Sequence, residues 1–196
     1  MPGSRFFLEK QKTQVNHLNY YYFTNAFSES EMAQICAIGD ALPKEAAVTG
    51  SNSEATDYRI SDISWIDEFE ESEWIYTRVA ELADIANKEM WNFDIWGYLD
   101  SFQYTMYKGG GGHYDWHADC GPGMSNRKLS CVLQLSDPKE YGGGELEMNI
   151  GSSILQVPKA KGNLCFFPSF LLHRVTPLTW GKRISLVTWL SGANLR

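Results

Sequence analysis

Residues 113–119 read HYDWHAD, two histidines and two aspartates directly after the run KGGGG. Side chains at i and i+2 of an extended strand share a face, so His117 and Asp119 are expected to aim an imidazole and a carboxylate at one point. Two ligands do not make a site. His173 in FFPSFLLHRV offers a third donor, since a polar ring following an apolar run needs a partner if it is buried. Two imidazoles and one carboxylate form the facial donor set of non-haem iron(II) centres, which keeps coordination positions open. No cysteine lies nearby at zinc spacing, and an all-oxygen calcium or magnesium site would not need imidazoles. The plain alternative is a chance His-x-Asp pair and a satisfied core histidine.

Arg183 in GKRISLVTW shifts that balance. Alternation places Arg183, Ser185, Val187 and Trp189 on one strand face, where an unpaired guanidinium is costly to bury. Its planar fork matches a carboxylate, so an arginine beside a metal site implies an acidic ligand reaching past the metal. A salt bridge to one of the 24 acidic residues is the bland alternative. In KLSCVLQLS, Ser130, Val132 and Gln134 alternate with Leu129, Cys131, Leu133 and Leu135, giving a partly polar face that suits a barrel interior or ordinary solvent. His113 and Asp115 share strand parity with His117, but the preceding glycines suggest a loop, which makes both cleft or surface residues.

These residues need a scaffold, and 196 residues with 43% hydrophobic and 14% aromatic side chains suffice for one domain with a sizeable core. The formal charge of −7, with no long Lys/Arg block, gives no support for nucleic-acid or membrane-surface binding. No stretch approaches the roughly 20 apolar residues that span a bilayer, and the N-terminal MPGSRFFLEKQKTQ lacks a secretory apolar region, so a cytoplasmic protein is expected. Cys36, Cys120, Cys131 and Cys165 form no CxxC pair, as reduced thiols would not.

Two helices are expected in the first half. SESEMAQICAIGDAL opens with the capping-box pair Ser28 and Glu31, then sets Met32, Ile35 and Ile38 near one face ahead of Gly39. DEFEESEWIYTRVAELADIANKEMW carries Ile75, Val79, Leu82 and Ala86 at helical steps, predicting the longest helix, packed on something flat. The polar VTGSNSEATDYRISDISWI between them reads as a mobile loop, either a linker or a cover for substrate. After residue 94, short β-branched and aromatic runs separated by turns predict a mainly β jelly roll with flanking helices. The organisation expected is a single domain over 1–196, with a helical buttress at about 28–92 and a jelly-roll core at about 95–192.

The ordered series RISDISWI, FQYTMYKGGGGHYDWHAD, RKLSCVLQLSDPKEYGGGELEM, GNLCFFPSFLLHRVTP and GKRISLVTWLSG resembles Fe(II)/2-oxoglutarate-dependent dioxygenases of the prolyl 4-hydroxylase-like branch, bacterial and phage members included. The resemblance covers roughly residues 58 to 192. It implies a double-stranded β-helix, the cupin-like distorted jelly roll, with His117, Asp119 and His173 as iron ligands. By the same resemblance Arg183 binds the distal carboxylate of 2-oxoglutarate, and Tyr107, Gln134, Ser185 and Trp189 belong to the cosubstrate pocket. Arg59, Ser61 and Tyr114 fall to the substrate side, where Arg59, Ser61 and Trp65 help to close the cleft. Gln134 departs from the tyrosine of some animal prolyl hydroxylases. Asp119 stands where related halogenases carry Gly or Ala, which leaves no vacant position for a halide and favours hydroxylation.

What the resemblance implies is hydroxylation of an unactivated C–H bond, of a peptidyl prolyl residue first of all, with O2 consumed and succinate and CO2 released. Fe(II) and 2-oxoglutarate are the implied cofactor and cosubstrate, ascorbate an auxiliary reductant, and a peptide or protein the partner. Two alternatives stand beside it: hydroxylation of a free amino acid or other small molecule, and a cupin-like metal-binding domain without turnover.

Overall fold

The computed structural model describes residues 19–47 and 58–194. In chain order these form β1 (Tyr21–Phe23), α1 (Glu29–Ala41), β2 (Glu45–Ala46), β3 (Arg59–Ile60), β4 (Asp62–Ile66), α2 (Glu73–Met90), β5 (Ile95–Tyr98), β6 (Phe102–Lys108), β7 (His113–His117) and β8 (Arg127–Gln134). A 3-10 turn at Pro138–Glu140 leads into β9 (Tyr141–Gly142), β10 (Leu146–Asn149), β11 (Ile154–Gln156), β12 (Leu164–Pro168), β13 (His173–Val175) and β14 (Trp180–Gly192).

The strands make two antiparallel sheets. The larger runs β1-β12-β8-β14-β6-β4-β2, with β5 and β9 pairing along the ends of β14; the smaller runs β11-β10-β13-β7-β3. Neighbours in space are distant in sequence, the crossing pattern of a jelly roll. The fold is the mainly β double-stranded β-helix that the sequence implied.

β14 and β8 show why the sheet has two unlike faces. Ile184, Leu186 and Leu190 on β14 and Leu129, Cys131 and Leu133 on β8 join one apolar core with α1 and α2. The alternate residues Arg183, Ser185, Val187, Trp189 and Val132 face the space between the sheets. The partly polar face of β8 is therefore an interior wall and not a solvent face.

Both helices form where their signals lie. Ser28 caps α1 by accepting the Glu31 amide, while the Glu31 carboxylate accepts the Ser28 amide. α1 continues through Gly39 to Ala41, because this glycine is a packing contact: a Cβ there would collide with the ring of Tyr104 on β6. Ile75, Val79, Leu82 and Ala86 of α2 are all buried against the large sheet. Each fully buried aliphatic side chain of this kind contributes roughly 1.5–3 kcal/mol.

The segment read as a loop at 48–66 is corrected in part. Residues 48–57 lie outside the described residues, but β3 and β4 occupy 59–66, pairing with β7 and β6 respectively. Their short length and interspersed polar residues hid this pairing, which depends on partner strands distant in sequence. No helix among the described residues is long and apolar enough to cross a membrane.

Candidate metal centre

Three strand ends bring the donors together. On the small sheet, His117 at the end of β7 lies opposite His173 at the start of β13. Asp119 lies beyond the end of β7, where its amide N–H donates to the Ser169 carbonyl at 2.8 Å, just before the turn leading to His173. The convergence of His117 and Asp119 therefore does not come from strand alternation, as expected, but from a chain that leaves the sheet and is tied to the β12–β13 connection.

One potential ligand atom from each of His117, Asp119 and His173 lies within 4.8 Å of the others. His117 Nε2 is 3.7 Å from Asp119 Oδ1, and His173 Nε2 is 3.4 Å from Asp119 Oδ2. Each imidazole turns its other nitrogen to a backbone carbonyl: His117 Nδ1 lies 2.7 Å from Asp115 O, and His173 Nδ1 lies 2.8 Å from Leu171 O. Carbonyls only accept, so the proton sits on Nδ1 and the Nε2 lone pair is left toward the centre. Ser130 Oγ donates to Asp119 Oδ2 at 2.6 Å and lies 3.0 Å from Ser169 Oγ, which fixes the carboxylate from behind.

The charges are arranged to suit a cation. Burial and the neighbouring His173 push the His117 pKa down to about 4, against the opposing pull of Asp119, so its imidazole is neutral near pH 7. Burial alone would raise the Asp119 pKa, but His173, His117 and the Ser130 hydrogen bond outweigh it and hold the carboxyl below its usual range. Two imidazoles beside a carboxylate, two of the three residues buried, fit a divalent ion of borderline softness.

The triad stands on the wall of a cavity of about 380 Å³ between the sheets. Val132, Leu146, Val175 and Val187 give that wall its apolar stretch, and Arg183 also lines it. The guanidinium is 1% exposed, donates from Nη2 to Gln134 Oε1 at 3.0 Å, and lies 5.4 Å from the Tyr107 ring centroid. Its Nε and Nη1 have no hydrogen-bond partner, and no carboxylate pairs with it among the described residues. A buried cation with two unused donors fits an acidic ligand entering the cavity. Gly144 packs against the stem of this arginine: its φ is 67°, and a Cβ there would lie 3.1 Å from Arg183 Cδ.

Of the residues singled out in the sequence, Tyr107, Ser185, Trp189, Arg59, Tyr114 and Trp65 also line the cavity. Gln134 lies behind Arg183 and orients it. Ser61 is buried off the wall, where its hydroxyl accepts from Arg59 Nε at 2.9 Å. An extra residue in β7 places both Tyr114 and His117 opposite β13, at Val175 and His173, and brings both to the cavity wall. The parity expected for His113 and Asp115 is broken by that bulge: His113 begins the strand instead of lying in a loop, and Asp115 is exposed with its carboxylate on the Trp116 amide. Arg127, Met124, Gln103 and Tyr58 line the cavity without having been foreseen. Arg127 stacks over Trp189 at 3.8 Å, a contact set by the register of β8 against β14 that no local pattern announces.

Comparison with known proteins gives the same reading. The 2OG-Fe(II) oxygenase superfamily matches residues 102–191. A PKHD-type hydroxylase of Acidovorax ebreus is 39% identical over 87 residues, 41% of this chain and 38% of that protein. One of Teredinibacter turnerae is 37% identical over 94 residues, 45% of this chain and 41% of that protein. The match thus spans about two-fifths of the length of these relatives. A Pseudomonas putida prolyl-4-hydroxylase superposes with a TM-score of 0.71 at 22% identity, covering 90% of this chain and 94% of that one. A Trichoplax adhaerens prolyl hydroxylase, in complex with a hypoxia inducible factor oxygen degradation domain peptide fragment, gives 0.76 at 19% identity over 91% and 86%. Members of the superfamily use Fe(II), 2-oxoglutarate and O2. The His-Asp-His cluster thus lies inside the segment that matches the 2OG-Fe(II) oxygenase superfamily, on a fold similar to that of prolyl hydroxylases.

Proposed function

We propose that this chain is an Fe(II)- and 2-oxoglutarate-dependent hydroxylase acting on a prolyl residue of a peptide or protein, with release of succinate and CO2. One observation carries the reading: a His-Asp-His cluster and an unpaired buried arginine share one cavity. When bound, the iron, 2-oxoglutarate and O2 supply oxidative decarboxylation coupled to insertion of oxygen into a C–H bond.

The residues of the chain bind, orient and shield. His117 and His173 offer Nε2, each held in its tautomer by a backbone carbonyl, and Asp119 offers the carboxylate that Ser130 keeps in place. Arg183 offers Nε and Nη1 to the distal carboxylate of the cosubstrate while Gln134 holds its third nitrogen, which fixes one end of a short dicarboxylate. Val132, Leu146, Val175 and Val187 keep water from the space between. Met124 and Trp65, 41% and 37% exposed, mark the side on which the cavity reaches solvent and a peptide can approach. A prolyl substrate is supported by the prolyl hydroxylases of similar fold, one of them in complex with a peptide fragment. Free thiols at Cys36, Cys120, Cys131 and Cys165 support a reducing compartment, the cytoplasm.

The test is conversion of 2-oxoglutarate to succinate with a panel of proline-containing peptides, read together with mass spectrometry of each peptide for one added oxygen. Peptide-dependent succinate and the mass gain are expected, both lost in His173→Ala. Turnover on free proline but on no peptide would replace the peptide reading by the small-molecule one.

A further inference from the structure

Tyrosines aside, five of the six ionisable side chains on the cavity wall have a use or a partner already. His117, Asp119 and His173 form the cluster, Arg183 is the proposed anchor of the cosubstrate, and Arg127 donates from Nε to Asp100 at 3.0 Å. The sixth, Arg59, has no acidic partner among the described residues. It is nonetheless held firmly: Nε donates to Ser61 Oγ at 2.9 Å, Nη2 donates to Gln103 Oε1 at 2.9 Å, and the guanidinium carbon lies 4.5 Å from the Tyr114 ring centroid. Nη1 has no partner among the described residues. A fork immobilised by neutral groups has lost its rotamer freedom while its charge stays unmatched, which prepares it for a carboxylate.

Its position says where that carboxylate must come from. The Tyr114 ring on which Arg59 sits is stacked on His117, with centroids 3.5 Å apart and planes inclined by 14°. The guanidinium is thus two ring contacts from the proposed metal ligand, on the wall of the same cavity. With about 3.3–3.6 Å per extended residue, a peptide with its reacting carbon at the cluster places a side chain from about one to three residues away against Arg59. The net charge of −7 repels anions at long range, so any preference for acid has to arise at this contact.

We infer that Arg59 is a specificity residue which selects a peptide carrying an aspartate or glutamate within about three residues of the hydroxylated position. The inference rests on the proposed peptide hydroxylation and adds the class of peptide. Arg127 does not duplicate the role, because Asp100 already answers its charge.

The experiment compares matched proline peptides that differ only by Glu against Gln at each position up to three residues on either side of the proline, scored by kcat/KM and by the mass gain. At one of these positions the Glu peptide is expected to be preferred roughly tenfold at low ionic strength, the scale of a charge-assisted hydrogen bond, through KM and not kcat. In Arg59→Gln the ratio falls toward one, and Arg59→Lys, which keeps charge without the fork, lies between. If Arg59→Gln fails to fold, raising salt with the wild-type protein serves instead and erodes the same ratio. Hydroxylation of Glu and Gln peptides at equal kcat/KM, or a preference that survives Arg59→Gln, overturns the inference while leaving the hydroxylase reading intact. Absence of turnover with every peptide overturns both.

Discussion

At the scale of single residues, Arg183 is the most informative side chain, because its two proposed consequences have opposite signs. Held at 1% exposure with two unpaired nitrogens, it costs folding energy in the ligand-free protein and gains it back only when an acid enters. Arg183→Met is therefore expected to raise the KM for 2-oxoglutarate by at least about a hundredfold while stabilising the ligand-free chain by about 1–4 kcal/mol. Steady-state kinetics and thermal melts without ligand check the two halves. A variant that loses both activity and stability would assign Arg183 to the core. His117, Asp119, His173 and Arg183 were legible because each puts an expensive polar group in an apolar or strand-like setting. Arg127 and Ser130 were not, since an arginine at a strand start and a serine within a strand look the same whether or not another strand brings Trp189 or Asp119 beside them.

At the scale of elements, α1 is fixed to α2 by one carboxylate. Glu31 accepts the Ser28 amide at 2.7 Å and Arg78 Nη2 at 3.0 Å, so a helix cap and an interhelical ion pair share a side chain. Burial alone would raise its pKa, but the Ser28 hydrogen bonds and then Arg78 bring it below the reference value of 4.5. A depressed folded pKa means that the stabilisation is present above the unfolded value and is lost as pH falls through the folded one. Glu31→Gln is expected to cost about 1 kcal/mol at pH 7, and the gap between variant and wild type should close below about pH 4 in denaturant titrations. A gap that is constant with pH would mean that the carboxylate's charge contributes nothing. This cap was readable, as were the face of α2 and the long strands, because periodicity accumulates over many residues. The two-residue strands β2 and β3, the bulge in β7 and the continuation of α1 through Gly39 depend on partners distant in sequence, such as Tyr104 and His173, and leave no local period.

At the scale of the whole molecule, the two sheets enclose groups that do not satisfy one another. Two imidazoles lie 4.1 Å apart between ring centroids, beside a buried carboxylate, and an unpaired guanidinium lines the same cavity of about 380 Å³. These groups come together only in the folded chain, drawn from β7, β13, β14 and the segment after β7. Ligands that neutralise them bind the native state alone and must stabilise it as a whole, by about 2.7 kcal/mol each at a hundredfold excess over Kd. For a chain of this length that corresponds to a rise of roughly 5–10 °C in Tm per ligand. Mn(II), which has the same charge as Fe(II) without its reactivity toward O2, is expected to give the first increment and 2-oxoglutarate added on top of it the second. The two increments report separate ends of the cavity: Arg183→Met should keep the first and lose the second, whereas His173→Ala should lose the first. A 2-oxoglutarate increment of undiminished size in Arg183→Met would place the acid elsewhere than at the unpaired guanidinium, and no increment from Mn(II) in the wild type would remove the metal centre itself.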